Sequence, residues 1–554
     1  MNKVIIYQLI PRLFGNTNTS CIPNSSIDIN GCGKLDDITT DVLLKIKELG
    51  CSHIWFTGVI EHATQTDYSN YGIKANNKSI VKGIAGSPYA ITDYYDIVPA
   101  LANDIEKRVT EFKDLIKRCH NIDIKVIIDF VPNHVSRDYC SDAKPNGIKD
   151  FGQDDDSTIQ FKPSNNFYYI TNKEFISPDH INSNEWSYKE FPAKVTGNDC
   201  LSNSPSIYDW YETVKLNYGI DIFNNNQRYF NPIPDTWLKM NDICKFWISM
   251  GVDGFRCDMA EMVPIEFWNW LICDIKKSNP KEIIFIAEIY KKELYRDYLY
   301  NGKFDLLYDK VGLYDTLKEI VINESGAHLI TQQWQSIGDI EDRMLNFLEN
   351  HDEVRVASDF FAKNPIKALP ALITAIMLNK APYMLYFGQE LGERGMDCEG
   401  YSKVDGRTSI FDYWSVKTVR EWITSEYKET QIRELYRKIL NIASSHESIV
   451  KGDKFDLQYV NPFSTDYDNS RLYTFARKYN NEMILIVVNF SNLSFDIKLN
   501  IPYHLFEYFN IAPNKIYKTL DLIEQIEDEV FLSTNNKIEL TIGEFGYKII
   551  KFSL

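Results

Sequence analysis

The chain is expected to fold as a (β/α)8 barrel with a subdomain inserted after the third strand and an antiparallel β-sandwich at its C-terminal end. Three observations lead there. Eight short apolar runs end in polar residues and alternate with amphipathic stretches, the pattern of a closed parallel barrel with helices outside. One strand-to-helix connection, from Val135 to about Pro234, is far too long for a barrel loop and is rich in Asn, Asp, Ser, Pro and Tyr. Beyond about residue 450, "RLYTFARKY", "EMILIVVNFS" and "KIELTIGEFGYKIIKF" alternate with period two, with no helical segment between them.

The eight runs are "KVIIYQL", "HIWFTG", "KVIIDF", "VDGFRCD", "IIFIAE", "FDLLYD", "MLNFLE" and "PYMLYFG". Between the first two lies "DVLLKIKELG", whose Val42, Leu43, Ile46 and Leu49 recur at helical spacing and whose Gly50 suits a C-terminal stop. "RVTEFKDLIKRCH" fills the same place before the third strand. At 554 residues the chain exceeds one compact core. The expected division is residues 1–134 and 235–449 as the barrel, 135–234 as the insertion and 450–554 as the sandwich.

Composition narrows the partners. A net charge of -17 repels nucleic acid and anionic lipid, so neither is expected. Aromatic residues make up 14%, a supply of flat faces for weakly polar ligands. Ten cysteines, scattered from Cys21 to Cys398 without a CxxC, argue against a disulfide framework or zinc site. The apolar segment "ALPALITAIMLNKAPYMLYF" is broken by Pro370, Lys380 and Pro382, so a buried helix and strand are expected rather than a membrane span. The N-terminus carries no signal-like stretch, which points to a cytoplasmic protein.

Working residues of such barrels sit at the C-terminal strand ends. The third strand runs into "DFVPNH" (Asp129 to His134), the fourth ends at Asp258, the fifth at Glu288, and the seventh leads into "ENHDEVR" with His351 and Asp352. A lone acid there is usually a cap or an ion pair. Three on one rim, with two histidines and Arg256, are costly to bury unless a site uses them. Arg256 and Asp258, two residues apart on a strand, point the same way.

"DFVPNH", "GFRCDMAE", "FIAEIY" and "FLENHDE" resemble, in order, the four signature regions of the α-amylase family, glycoside hydrolase family 13. "SPYAITDYYDI" resembles the segment before the third strand. The resemblance implies a retaining hydrolase of α-1,4-glucosidic bonds in starch, glycogen or maltodextrins. It implies Asp258 as nucleophile, Glu288 as acid/base and Asp352 as the third carboxylate. Tyr89 matches the family's sugar-stacking tyrosine, and His134 and His351 match its sugar-binding histidines. Arg256 is expected to hold Asp258 ionised, and Glu288 to need a raised pKa from nearby acids and poor solvation. A separation of about 5–5.5 Å between the two carboxyl groups would give retention.

The sequence departs from the family in places. Where many calcium-dependent members read Lys-His after the nucleophile, this chain has Glu261 and Met262. Asn133 matches a calcium-binding asparagine, but no metal ligand set is expected here, and no cofactor is required. "TVKLNYG" carries Lys215 where the insertion signature has aspartate, which weighs against the oligo-1,6-glucosidase group. The spacing of "DMAEMVPIEFW" is closer to neopullulanases and cyclomaltodextrinases. The segment "GMDCEGYSKVDGRTSIFDYW" suits either a substrate-contacting loop or a packed surface loop. The alternatives are an α-glucosidase, a neopullulanase or cyclomaltodextrinase, a glucanotransferase of the same family, and, from another class, a non-catalytic sugar-binding member.

Overall fold

A computed structural model describes residues 3–178, 188–399 and 403–554. All eight apolar runs are strands of one closed barrel: β1 (Ile5–Leu9), β2 (His53–Phe56), β3 (Lys125–Phe130), β4 (Gly254–Cys257), β5 (Ile284–Ala287), β6 (Leu306–Tyr308), β7 (Met344–Phe347) and β8 (Tyr383–Tyr386). Neighbours pair in parallel, and β1 closes the ring between β8 and β2. Buried on both faces, these strands read as nearly continuous Ile, Val, Leu and aromatic runs.

The connecting helices follow the expected periodicity. Thr40–Lys47 is capped by the Thr39 hydroxyl, which accepts from the Val42 N–H, and Gly50 takes a φ of 90° just beyond it. Arg108–His120 turns Phe112, Leu115, Ile116 and Cys119 inward. Leu369–Met377 is buried along its length and feeds β8. Among the described residues no helix is long and apolar enough to cross a membrane.

Between β3 and the helix Asp235–Met250 the described residues form only short ribbons. His134–Ser136 pairs with Thr213–Lys215, Tyr169–Ile170 with Ala193–Lys194, and Ile220–Asp221 with Gln227–Arg228. Its own apolar cluster, centred on Tyr168, Phe175 and Val195, is small.

The C-terminal unit has a six-stranded antiparallel sheet, in the order 453–456, 472–479, 482–489, 547–553, 515–521 and 527–532. A two-stranded sheet of Phe495–Leu499 and Ile538–Ile542 contributes Ile497, Leu499, Ile538 and Ile542 to the same core. One expectation fails here: Tyr503–Phe509 is a helix. Its aromatic-rich sequence, "YHLFEYF", favours strand by composition. Leu505, Phe506 and Phe509 are nevertheless buried from one helical face, so tertiary packing overrides propensity.

Candidate active site

The third, fourth and fifth strands bring the charged residues together through register. Arg256 lies directly opposite Asp129 of β3 and Ile286 of β5. Asp258 and Glu288 follow immediately after β4 and β5, with the Glu288 N–H bonded to the Cys257 carbonyl. The four side chains therefore meet at one end of the barrel.

Arg256 is fully buried and is shared. Its Nη1 is 2.8 Å from Asp258 Oδ1 and 3.6 Å from Asp129 Oδ1, and its Nη2 is 2.7 Å from Glu288 Oε1. Nε donates to the Tyr308 hydroxyl at 3.2 Å. The guanidinium also lies 5.3–5.4 Å from the ring centres of Trp55, Tyr89 and Tyr308. The sequence expectation gave Arg256 one partner, Asp258. The structure corrects this: one planar fork clamps both carboxyl groups, a task suited to guanidinium geometry.

Burial drives the Asp258 carboxyl above the ordinary aspartate range. Arg256 is the main opposing influence. Asp129 is pushed up to about 7 by burial, against the pull of Arg256. Glu288 is held from two further sides: Tyr290 Oη donates to Oε1 at 2.8 Å, and the Met259 N–H donates to Oε2 at 2.9 Å. That second bond has a backbone cause. Met259 has a φ of 43°, left-handed and unusual for a side chain with a Cβ, and this turn aims its N–H at the acid.

Asp352 sits on the loop after β7 and exposes 44% of its side chain to the cleft. Its Oδ2 is 3.1 Å from His351 Nε2, the same nitrogen that lies 2.5 Å from Tyr89 Oη. The Gln8 amide contacts His351 Nδ1 at 2.8 Å and fixes the ring from behind. Burial, aided by Arg256, pushes His351 down to about 3. His134 is likewise pushed down to about 3, by burial and then by Lys215. Both rings are thus neutral near pH 7, each able to donate from one nitrogen and accept at the other.

A cavity of about 270 Å³ opens over this group. Tyr89, His134, Asp258, Glu288 and Asp352 all line it, whereas Arg256 lies beneath. All seven residues singled out in the sequence therefore assemble in one place, but His351 is corrected from a sugar ligand to a support: its side chain is fully buried, off the cavity wall, and bonded to Gln8, Tyr89 and Asp352. The sequence reading missed Asp129, Tyr290 and the wall supplied by the insertion. There Trp210 packs 5.2 Å from His134, and Lys82, from the loop after β2, pairs with Glu212 at 3.1 Å. Asp129 stood inside the quoted "DFVPNH", and its alternation with Ile127 was the available signal. The insertion has no periodicity to read. Of the 395–414 segment, residues 400–402 lie outside the described residues, while Ile410 and Phe411 line the cavity.

The donors around Asn133 decide whether a calcium ion fits there. Asn133 Oδ1 accepts from Lys215 Nζ at 2.8 Å, and that ammonium lies 2.7 Å from Asp199. Asn133 Nδ2 donates to the Gly197 carbonyl at 2.8 Å. The Lys215 ammonium thus sits on the Asn133 oxygen that would face a metal, and the residues do not fit calcium there. Glu261, in place of the lysine, accepts the Tyr290 and Lys291 N–H groups at 3.0 and 3.1 Å and organises the loop after β5.

A barrel whose strand ends gather buried acids beneath an aromatic-walled cavity falls in the class of glycoside hydrolases. The model of the α-amylase catalytic domain matches residues 8–434, and the chain belongs to the α-amylase family. It is 26% identical over 387 residues to alpha-amylase 3 of Dictyoglomus thermophilum, covering 66% of this chain and 68% of that one. It is 24% identical over 516 residues to a cyclomaltodextrinase of Thermoanaerobacter pseudethanolicus, covering 90% and 71%. In fold it is similar to a maltogenic alpha-amylase of Thermotoga neapolitana, with a TM-score of 0.65 at 18% identity over 100% of this chain and 99% of the other.

Proposed function

We propose that the protein hydrolyses α-1,4-glucosidic bonds of malto-oligosaccharides or larger α-glucans with retention of configuration. The observation that carries this reading is the Arg256 clamp, which holds Asp258 and Glu288 on adjacent strand ends under one cavity. In the proposed cycle Asp258 attacks the anomeric carbon while Glu288 protonates the departing glycosidic oxygen. A covalent glycosyl ester results. Glu288, now a carboxylate, takes a proton from water, and the water oxygen displaces Asp258. Asp352, open to the cleft, binds sugar hydroxyls and stabilises the positive transition state. His134 bonds a hydroxyl of the same sugar and Tyr89 stacks on its face, while His351, buried with both nitrogens engaged, holds Tyr89 and Asp352 in place.

The first product formed should be the α-anomer. Proton NMR before mutarotation checks this, and β-anomer would exclude two successive inversions. Product analysis on maltoheptaose, pullulan and glycogen separates this reading from its rival. The rival is attack on short or cyclic oligosaccharides in the manner of an α-glucosidase or cyclomaltodextrinase. The modest cavity, walled by Trp210, Ile410 and Phe411, favours that rival to the extent that it restricts long chains.

Activity should not depend strictly on calcium, because the Lys215 ammonium already bridges Asn133 and Asp199. Exhaustive chelation, assayed well below the melting temperature, should leave most of kcat. A loss restored only by calcium, and seen equally in Asp142→Asn, would mean that the Lys215 contact does not do the work of a metal.

A further inference from the structure

The loop after β2 forms an antiparallel ribbon, Ile60–His62 with Ile91–Ile97, and Tyr89 stands just before its second strand. Three acids converge where this ribbon meets the start of the insertion. One oxygen each from Glu61, Asp96 and Asp142 lies within 4.8 Å of the others. Glu61 and Asp96 are buried, at 5% and 0% exposure, whereas Asp142 lies at the exposed rim.

The hydrogen bonds available do not account for this concentration of charge. Glu61 Oε1 accepts from the Thr92 hydroxyl at 3.0 Å, but Glu61 Oε2 is buried without a hydrogen-bond partner. Asp93, a fourth acid beside the group, is satisfied by Tyr95 N–H, Ala143 N–H and Ser141 Oγ at 2.8, 2.9 and 2.6 Å. Arg108 serves Asp96, donating from Nε at 2.8 Å and also from Nη2. Lys74 gives Asp142 only its backbone N–H, at 3.3 Å, and its ammonium pairs with Asp138 at 3.1 Å. Glu61 therefore faces two other carboxylates across a space in which one guanidinium is committed to Asp96. Arg108 lies close enough to act on Glu61 and Asp142 as well, but it leaves Glu61 Oε2 without a donor, and a buried carboxylate oxygen without one is strongly unfavourable.

We propose that Glu61, Asp96 and Asp142 bind a calcium ion that pins the insertion to the ribbon leading from Tyr89. The donors are all carboxylate oxygens, which suits a hard cation and excludes metals that seek nitrogen or sulfur. Calcium, with bonds of about 2.3–2.6 Å and a tolerant, flexible oxygen shell, suits three carboxylates on three segments, whereas magnesium demands near-octahedral geometry at about 2.0–2.1 Å and keeps several waters. The exposed Asp142 leaves an entry path and room for water ligands. The site is separate from the Asn133 position, and its ion touches neither Asp258 nor Glu288, so it acts on stability rather than on the chemical step.

The test uses the full chain, stripped with a chelator and melted while calcium chloride or magnesium chloride is titrated in. Calcium should raise Tm saturably by roughly 3 °C or more, and magnesium by clearly less. Glu61→Gln and Asp142→Asn should each abolish the calcium response. Without metal, Glu61→Gln should melt no lower than wild type, because it keeps the shape of a side chain whose second oxygen has no hydrogen-bond partner. Asp142→Asn, at the surface, decides the matter if the buried variant fails to fold. An unmoved wild-type Tm, an equal response to magnesium, or a wild-type response in Asp142→Asn would overturn the proposal.

Discussion

Asp258→Asn should lower kcat by roughly four orders of magnitude or more, while the protein melts at or above the wild-type temperature at neutral pH. The first effect follows from removing the attacking charge. The second follows from linkage. Burial sets the folded-state pKa of Asp258 above its unfolded value. Between the two values the native state holds the extra proton, so stability falls as pH rises through that window. At neutral pH the wild type carries this cost and the amide does not. Arg256 is not orphaned in the variant, because Glu288 remains 2.7 Å away. Single-turnover kinetics and melts at pH 5 and 7 check both parts. Residual turnover near wild type would remove Asp258 from the attacking role.

Arg256→Lys should cut kcat roughly 10²- to 10³-fold with a smaller change in KM. A lysine ammonium cannot reach Asp258, Glu288 and the Tyr308 hydroxyl from one planar position, as the guanidinium does. With less positive charge at Asp258, its carboxyl takes up a proton at higher pH. The acid limb of the pH–rate profile should therefore move upward. Arg256 is fully buried among three aromatic rings, so some loss of Tm is expected as well. The deciding measurement is the pH profile of the folded fraction. An unshifted acid limb with normal kcat would assign the arginine to the fold alone.

Much of this architecture was legible because the physics behind it is local. Apolar runs such as "KVIIDF" and "IIFIAE" announce buried parallel strands, and their last residues announce the rim. Two strand positions apart was enough to put Arg256 and Asp258 on one face. What the sequence hid depends on register between strands. Nothing in "GFRCD" says that Arg256 stands opposite Asp129, or that its second nitrogen reaches Glu288. The same holds for Lys215, whose role is visible only once residues 133, 199 and 215 meet in space. The helix at Tyr503–Phe509 was hidden for a different reason, since its composition favours the structure it does not adopt.

The left-handed turn at Met259 restricts which variants this cavity can sample. Its side chain lines the space above Asp258 and Glu288, where a change of residue would most directly reshape the pocket. Its backbone, with a φ of 43°, also supplies the N–H that holds Glu288. Glycine, asparagine and aspartate tolerate that conformation, whereas valine, isoleucine and threonine resist it. The alphabet open to divergence or design at this position is therefore short. Aspartate would add a fifth acid beside Asp129, Asp258, Glu288 and Asp352, which narrows the choice further to glycine and asparagine. New specificity is reached more readily through Trp210, Ile410 and Phe411, whose backbones serve no such purpose at Glu288.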